Sequence, residues 1–375
     1  MQYRPFCDVK ISALGFGAMR MPTLPGTKPG GGKIDEEEAI RMIRRAIDGG
    51  LNYVDTAYPY HEQQSEYLVG KALKDGYREK VYIATKSPLF SLKEEGDFDR
   101  VLDEQLQKLD IDCIDFYLLH AADKNRWKDI VLKFNLLEKM ERAKAAGKIK
   151  HIGFSFHDDL DTFKMIVDSY PWDFCQIQFN YINTDYQAGM EGLEYAASKG
   201  LGVVVMEPLL GGKLAKPPVQ VEKLLSKEKT PVEWALDFLW NRPEVGPVLS
   251  GMSTMEQVEE NLSYADRSGI GMLSEKEVDM LKEAKVVFDT MALVPCTKCA
   301  YCMPCPFGLD IPKIYEAYNM TASAGMKKAG EVYESIPVRA DVCKQCKKCE
   351  KVCPQGIESS ALMPVIDRVF AENRE

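Results

Sequence analysis

Nowhere does the 375-residue sequence hold a run of the ~18 to 20 apolar residues that a membrane-spanning helix needs. Its first ten residues, MQYRPFCDVK, contain no apolar h-region, so no secretory signal is expected. Arg44-Arg45 is no export signal either, because it sits inside a helical pattern away from the start. Positive charge is in deficit: 48 Lys plus Arg stand against 57 Asp plus Glu, and the net charge of −9 disfavours nucleic acid as the main partner. These gaps predict a cytoplasmic protein with neither a membrane nor a nucleic-acid partner. Cysteine is also scarce over most of the chain. Cys7, Cys113 and Cys175 are isolated and read as small buried apolar side chains. The other eight of the eleven cysteines fall in the last 80 residues. Clustered thiols without an export signal point to metal in a reducing compartment rather than to disulfides.

A G-x-G-x-x-G fingerprint is missing as well. LGFGAMRMP (14–22) has the first two glycines and then departs, so a dinucleotide would need another route of binding. What is present, over about residues 10–265, is an alternation of short β-rich runs with longer amphipathic stretches. The expected strands are 11–17, 51–57, 81–86, 113–120, 149–155, 173–179, 201–209 and 245–253. Between them lie helical patterns such as EEEAIRMIRRAIDGG, with Ile40, Ile43 and Ile47 on one face and a glycine pair as the stop. The stretch 130–148 shows the same spacing and ends at Gly147. Eight strand–helix units predict an α/β fold, a (β/α)8 TIM barrel, with a doubly wound open sheet as the alternative. PGTKPGGGK (25–33) reads as a flexible loop after the first strand. A helix is expected over 274–290, and a boundary near 290 divides a barrel domain (1–290) from a small, mainly helical C-terminal domain (291–375).

Four reactive side chains stand at or just beyond successive strand ends. Asp55 ends the run before DTAYPY, Tyr60 follows five residues later, Lys86 closes IATK and His120 closes LLH. A barrel would bring them to one rim. A phenol with pKa ~10 is a poor acid near neutrality, and an adjacent ammonium makes it a better one. Asp55 would hold the Lys86 ammonium, and neutral His120 would donate to a carbonyl oxygen and orient it. Singly, each is more often structural; the four together point to catalysis.

GFGAMR, DTAYPYHEQQSEYLVGKAL, ATK, YLLH, GKIKHIGFS, CQIQFN, VVMEPLLGGKL and LSGMSTMEQVEENL, spread over about residues 10–290, resemble the aldo/keto reductase family. The resemblance implies a (β/α)8 barrel, a nicotinamide cofactor bound without a Rossmann motif, and reduction of an aldehyde or ketone. It makes Tyr60 the general acid, tuned by Asp55 and Lys86, with His120 orienting substrate. It implies that Ser155 and Gln176 hold the nicotinamide carboxamide. Met206, Pro208 and Leu209 would line the pyrophosphate path, and Ser253, Gln257, Glu260 and Asn261 the adenosine end. Where many members carry Ser-Asn, this chain has Ser155-Phe156-His157. Where NADP-specific members place a Lys and an Arg, it has Gly251 and Gln257. NADP(H) and NAD(H) therefore both stay open. Trp127, Phe156 and His157 are expected to border the substrate pocket.

The C-terminal cysteines form two runs. Cys343, Cys346, Cys349 and Cys353-Pro354 have the C-x2-C-x2-C-x3-C-P spacing of a bacterial [4Fe–4S] site; Cys296, Cys299, Cys302 and Cys305-Pro306 are one residue shorter before the last ligand. In two-cluster ferredoxins the fourth cysteine serves the other cluster. The expected sets are thus Cys296, Cys299, Cys302 and Cys353 for one [4Fe–4S] cluster, and Cys343, Cys346, Cys349 and Cys305 for the second. Zinc sites use two C-x2-C pairs, which leaves the third cysteine of each run without a role. The helical pattern of 309–335 makes the tail resemble a helical two-cluster ferredoxin module, and aldo/keto reductases with such a tail form a recognisable subgroup.

Hydride transfer moves two electrons and each cluster moves one, so the halves need an intermediary such as a flavin. The expected function is reduction of a carbonyl or related unsaturated small molecule, with the clusters exchanging electrons with a ferredoxin-like or other redox protein. Two alternatives stand beside it: a plain NAD(P)H-dependent carbonyl reductase with structural clusters, and a non-catalytic electron-transfer subunit.

Overall fold

Parity along the strands builds the interior of this protein. The computed structural model describes residues 1–24, 33–291 and 293–372, and these divide into two compact units: 1–208 with 235–273, and 209–234 with 274–375. The expected loop at 25–33 lies outside the described residues apart from Lys33; its flanks are joined by an antiparallel bridge between Thr23 and Ile34.

In the first unit the chain opens with a hairpin, β1 (Tyr3–Phe6) and β2 (Val9–Ser12). The barrel follows as β3 (Leu14–Gly17), β4 (Tyr53–Asp55), β5 (Tyr82–Ser87), β6 (Ile114–Ala122), β7 (Ile149–Phe156), β8 (Phe174–Gln178), β9 (Gly202–Met206) and β10 (Val245–Ser250). All eight are parallel, neighbours in sequence pair in space, and β10 closes onto β3. A helix follows each strand, as the amphipathic spacing predicts. The expected strand over 11–17 splits in two, because Ser12 ends the hairpin and its hydroxyl donates to Leu14 O before the barrel begins. The expected helix over 130–148 is likewise broken: a wide helical turn (Trp127–Leu132) ends near Asn135, whose φ is 52°, and the α-helix runs only over Leu136–Ala145.

Side chains alternate between the barrel lumen and the helical layer. Tyr53, Phe116 and Phe174 point inward, and Phe6 of the hairpin inserts among them with ring centroids 5.5 to 6.5 Å apart. Burying such a ring stabilises the fold by about 1.5–3 kcal/mol. A Cβ at Gly202 or Gly246 would collide with the Phe6 ring, so those strands approach it bare. Asp55, Lys86, Leu118, His120, Ser155 and Gln176 share the inward parity of the aromatic floor, further along the same strands. Parity also corrects one expectation. Phe156 points the other way, fully buried 5.0 Å from Phe163, so it belongs to the helical layer and not to a pocket. Trp127 is buried too, 6.2 Å from Trp172.

The second unit is mainly helical. Ser274 and Glu277 form a reciprocal capping box at the start of the helix Glu275–Asp289. Asp310 caps the helix Ile311–Ser323, and Gly325, at φ 85°, separates it from Met326–Glu334. These pack with Ser359–Glu372 around Ile314, Tyr315, Tyr333, Ile366 and Phe370, the last stacked on Tyr333 at 4.0 Å.

Candidate functional site

Two candidate sites emerge, one in each unit. In the barrel, Lys86 is fully buried, and its ammonium donates to Asp55 at 2.7 and 2.8 Å, to Thr56 O at 2.8 Å and to Tyr60 Oη at 3.4 Å. His120 meets the Tyr60 ring edge-on with centroids 6.1 Å apart. All four expected residues are therefore together. Burial pulls the Lys86 ammonium below the usual lysine value and raises Asp55 above the usual carboxylate value; their mutual attraction opposes both shifts. With both carboxylate oxygens in contact, the ion pair is the state that satisfies the donors. Burial, then Lys86, His157 and Arg126, hold His120 well below the ordinary histidine value, so its ring is neutral.

Residues not singled out from the sequence brace this group. Behind β5, buried Glu66 accepts from Thr85 at 2.7 Å and from Gln105 at 2.6 Å, and Gln105 also donates to Lys86 O at 3.1 Å. Glu66 lies in the quoted stretch DTAYPYHEQQSEYLVGKAL, but its partners are distant in sequence. At the next strand, the β6–β7 register shifts between Leu119 and Ala122, and Ala121 takes φ 54°. The Ser155 hydroxyl accepts from Ala121 N–H at 2.8 Å and Arg126 donates to Ala121 O at 2.7 Å, which fixes the bulge that carries His120.

The residues expected around a nicotinamide lie along the neighbouring strand ends. Ser155 pairs in register with Gln176. Gln176 is buried, donates weakly to Met206 Sδ at 3.4 Å, and leaves its Oε1 without a partner; His120 Nδ1 is also buried and unpartnered. Buried polar atoms without partners are uncommon, and two on β6 and β8 are compatible with a polar ligand group. An amide group fits them, because Ser155, bonded as an acceptor, still has its hydroxyl proton to give. After β9 the chain bends at Glu207, φ 57°, where Asn180 donates to Glu207 O at 3.0 Å, so Met206 and Pro208 turn at a tethered corner. Leu209 falls in the second unit.

At the end expected to hold adenosine, Ser253 N–H donates to Gln257 Oε1 at 2.7 Å and Ser253 Oγ donates to Arg20 O at 2.6 Å. Asn261 donates to Ser250 Oγ at 2.9 Å, while Glu260 is exposed. A Cβ on Gly251 would sit 3.1 Å from Arg20 Cδ, so the Arg20 side chain covers that glycine. A cation absent from the local motif thus arrives from the end of β3, more than 200 residues earlier. His157 forms a hydrogen bond with Gln187 at 3.2 Å, and burial lowers its pKa to about 4.

In the second unit the two cysteine runs fold alike. Lys298 and Ala300 in the first loop, and Gln345 and Lys347 in the second, all take φ between 52° and 63° at matching offsets from the leading cysteine. Lys298 N–H donates to Cys296 Sγ and Gln345 N–H to Cys343 Sγ, each at 3.4 Å. Such alternating left-handed residues turn backbone N–H groups toward an anion and suit an iron–sulfur cluster. Cys305 lines one cavity with Cys343, Cys346 and Cys349. Burial, followed by the nearby thiols of Cys299, Cys296, Cys353 and Cys349, pushes the Cys302 thiol up, and Cys353 also acts on Cys296. Cys305 thus stands beside the second run, and Cys353 stands near Cys296 and Cys302 of the first. A four-cysteine donor set matches the chemistry of a cubane.

Gly211, with φ 65°, packs directly against Thr297 O in the first cysteine loop. Any side chain there would collide with that backbone.

Comparison with known proteins adds the family. A model described as the aldo/keto reductase family matches residues 13–285, and one described as a 4Fe-4S dicluster domain matches 295–358. The L-galactose dehydrogenase of Arabidopsis thaliana is 29% identical over 303 residues, covering 73% of this chain and 92% of its own. An aldo-keto reductase of Bacillus halodurans in its holo form superposes with TM-score 0.64 at 24% identity, over 76% of this chain and 96% of that one. An aldo/keto reductase from Klebsiella pneumoniae in complex with NADP and acetate gives TM-score 0.62 at 22% identity, over 75% and 94%.

Proposed function

Because this chain belongs to the aldo/keto reductase family and carries a 4Fe-4S dicluster domain, and is therefore an oxidoreductase, we propose that its barrel reduces the carbonyl of a small molecule while its clusters exchange single electrons with another redox protein. The cut at 290, between a barrel domain and a cluster domain, is part of this reading; the limits of the two matched models, 285 and 295, support it. The carrying observation is the buried Lys86 ammonium held between Asp55 and Tyr60 Oη, with neutral His120 against the Tyr60 ring.

Each residue then has a task. Lys86 stabilises negative charge as it develops on the Tyr60 oxygen, and Asp55 keeps the ammonium charged and aimed. Tyr60 delivers its proton to the carbonyl oxygen. His120, neutral, offers a hydrogen bond to the same oxygen and fixes its direction. Ser155 and Gln176 hold the carboxamide of a nicotinamide, Met206, Pro208 and Leu209 flank its pyrophosphate, and Ser253, Gln257, Glu260 and Asn261 surround the adenosine. The nicotinamide, NADP(H) or NAD(H), supplies hydride when bound. Cys296, Cys299, Cys302 and Cys353 would hold one [4Fe–4S] cluster, and Cys305, Cys343, Cys346 and Cys349 the other.

Joining single electrons to a two-electron reduction requires an intermediary, and a flavin has that chemistry. The test is anaerobic purification and assay. Absorption near ~400 nm that bleaches with dithionite is expected, together with NADPH- or NADH-dependent turnover of simple aldehydes. Flavin bands in the same spectrum would identify the intermediary; turnover that persists without them and without cluster reduction would leave the clusters a structural role. Turnover unchanged in Tyr60→Phe would overturn the assignment of the acid.

A further inference from the structure

The second cysteine loop carries charge that the first does not. Between Cys343 and Cys353 stand Lys344, Lys347, Lys348 and Lys351, with Glu350 the one acidic residue, in a chain of net charge −9. All four lysines are exposed, and among the described residues none forms an ion pair. Glu350 is occupied, its carboxylate accepting from Ser360 N–H at 2.6 Å. The first loop holds a single lysine, Lys298, which is paired with Glu316 at 2.7 Å.

A run of lysines is ordinarily no more than a solvated face. Here a second feature coincides with it. Cys346 is the one exposed cysteine of the eight. Phe307, a large apolar side chain 39% exposed, lines the same cavity as Cys305, Cys343, Cys346, Cys349, Lys344 and Lys347. Val352, 40% exposed, follows Lys351 directly. An exposed apolar side chain sharing a cavity with two unpaired lysines and the cysteines of a redox site, beside two further exposed lysines in the same loop, has the composition of a transient protein interface. A thiol at the surface also shortens the distance an electron must travel to a docked carrier.

We propose that the face formed by Lys344, Lys347, Lys348, Lys351 and Phe307 docks a small acidic one-electron carrier protein, and that the cluster held by Cys305, Cys343, Cys346 and Cys349 is where electrons enter. One electron leaves the reduced carrier and enters that cluster; no bond forms or breaks and no proton moves. The inference rests on the dicluster reading above and deepens it, naming the sign of the partner's charge and the port.

The test uses the full-length chain with its clusters reconstituted anaerobically. Calorimetric titration with an acidic plant-type [2Fe–2S] ferredoxin is expected to show binding that weakens at least ~10-fold between low and high salt. A comparable loss is expected in the variant K344E/K347E/K348E/K351E, with iron content and visible spectrum matching the parent. If that variant loses its clusters, K344Q/K347Q/K348Q/K351Q takes its place, and the salt titration of the parent needs no variant. An affinity indifferent to salt and to charge reversal overturns the inference, as does tighter binding of a duplex DNA than of the ferredoxin. Neither result bears on the barrel, which the Tyr60→Phe assay tests separately, whereas a chain that takes up no iron would sink this inference together with the dicluster reading it rests on.

Discussion

Lys86 places its ammonium 2.7 and 2.8 Å from the two carboxylate oxygens of Asp55, with both side chains buried in the barrel. Neither residue has water to fall back on. Asp55→Asn keeps one oxygen acceptor but removes the counter-charge, leaving a buried cation among neutral acceptors such as Thr56 O and Tyr60 Oη, and a broken buried pair costs about 3–5 kcal/mol. The expected outcome is a lower urea midpoint at unchanged slope, together with lost turnover.

Tyr60→Phe removes one oxygen and almost no volume, so the fold should survive. As the proposed proton donor, its loss should lower kcat by about 10²–10⁴-fold with little change in cofactor affinity. Steady-state kinetics alongside fluorescence titration of NADPH and NADH separate the two effects.

Arg20 covers Gly251 at the end expected to hold adenosine. Its guanidinium can offer a 2′-phosphate the charge-assisted pairing that Gly251 and Gln257 lack. Arg20→Ala should raise the KM for NADPH about 10-fold or more while leaving that for NADH nearly unchanged, since a lost charge-assisted hydrogen bond is worth about 1.5–3 kcal/mol. Equal effects on both cofactors would remove Arg20 from this role.

The crossed cysteine sets make a distinctive prediction. Cys305→Ser and Cys343→Ser should each cost one cluster, lowering iron from about eight to about four atoms per chain, and combining them should cost no more. Cys353→Ser combined with Cys343→Ser should instead abolish both clusters. Iron analysis after anaerobic reconstitution decides between crossed and uncrossed ligation.

Gly211→Ala puts a methyl group where Thr297 O lies and asks alanine to hold φ 65°. The first cysteine loop must shift, so visible absorbance should be lost at a lower temperature than in the parent.

Stability should also depend on acid in a defined direction. His120 and His157 are neutral in the fold, both held below the ordinary value of 6.5 mainly by burial. The unfolded chain takes up those protons near pH 6.5, whereas the folded chain resists until about 4 at His157, and His120 too is held well below its ordinary value. The unfolded state therefore binds more protons in this window, and stability falls as pH drops from 6.5 toward 4. Urea midpoints at pH 7 and pH 5 test this, and His157→Gln should flatten the slope.

Strand parity explains how much of the barrel site was legible. Asp55, Lys86 and His120 each end a β-rich run, so closing eight parallel strands was enough to predict their meeting. Tyr60 was legible from its offset to Asp55. The braces behind them were not, because Glu66, Thr85 and Gln105 meet across helices and a strand with no repeating interval. Ala121 was equally hidden: a left-handed alanine has no sequence signal, and it depends on the Ser155 hydroxyl from the next strand.

The sequence by itself determined the alternating architecture and the two cysteine runs, because both are local: period-two and helical spacing are set by backbone geometry, and cluster ligands are set by intervals of two or three residues. It could not decide that Phe156 faces the helices, that Arg20 reaches Gly251, or that Gly211 packs against Thr297 O. Those are pairings between distant segments, and only closure of the barrel and packing of the C-terminal helices bring such segments within contact.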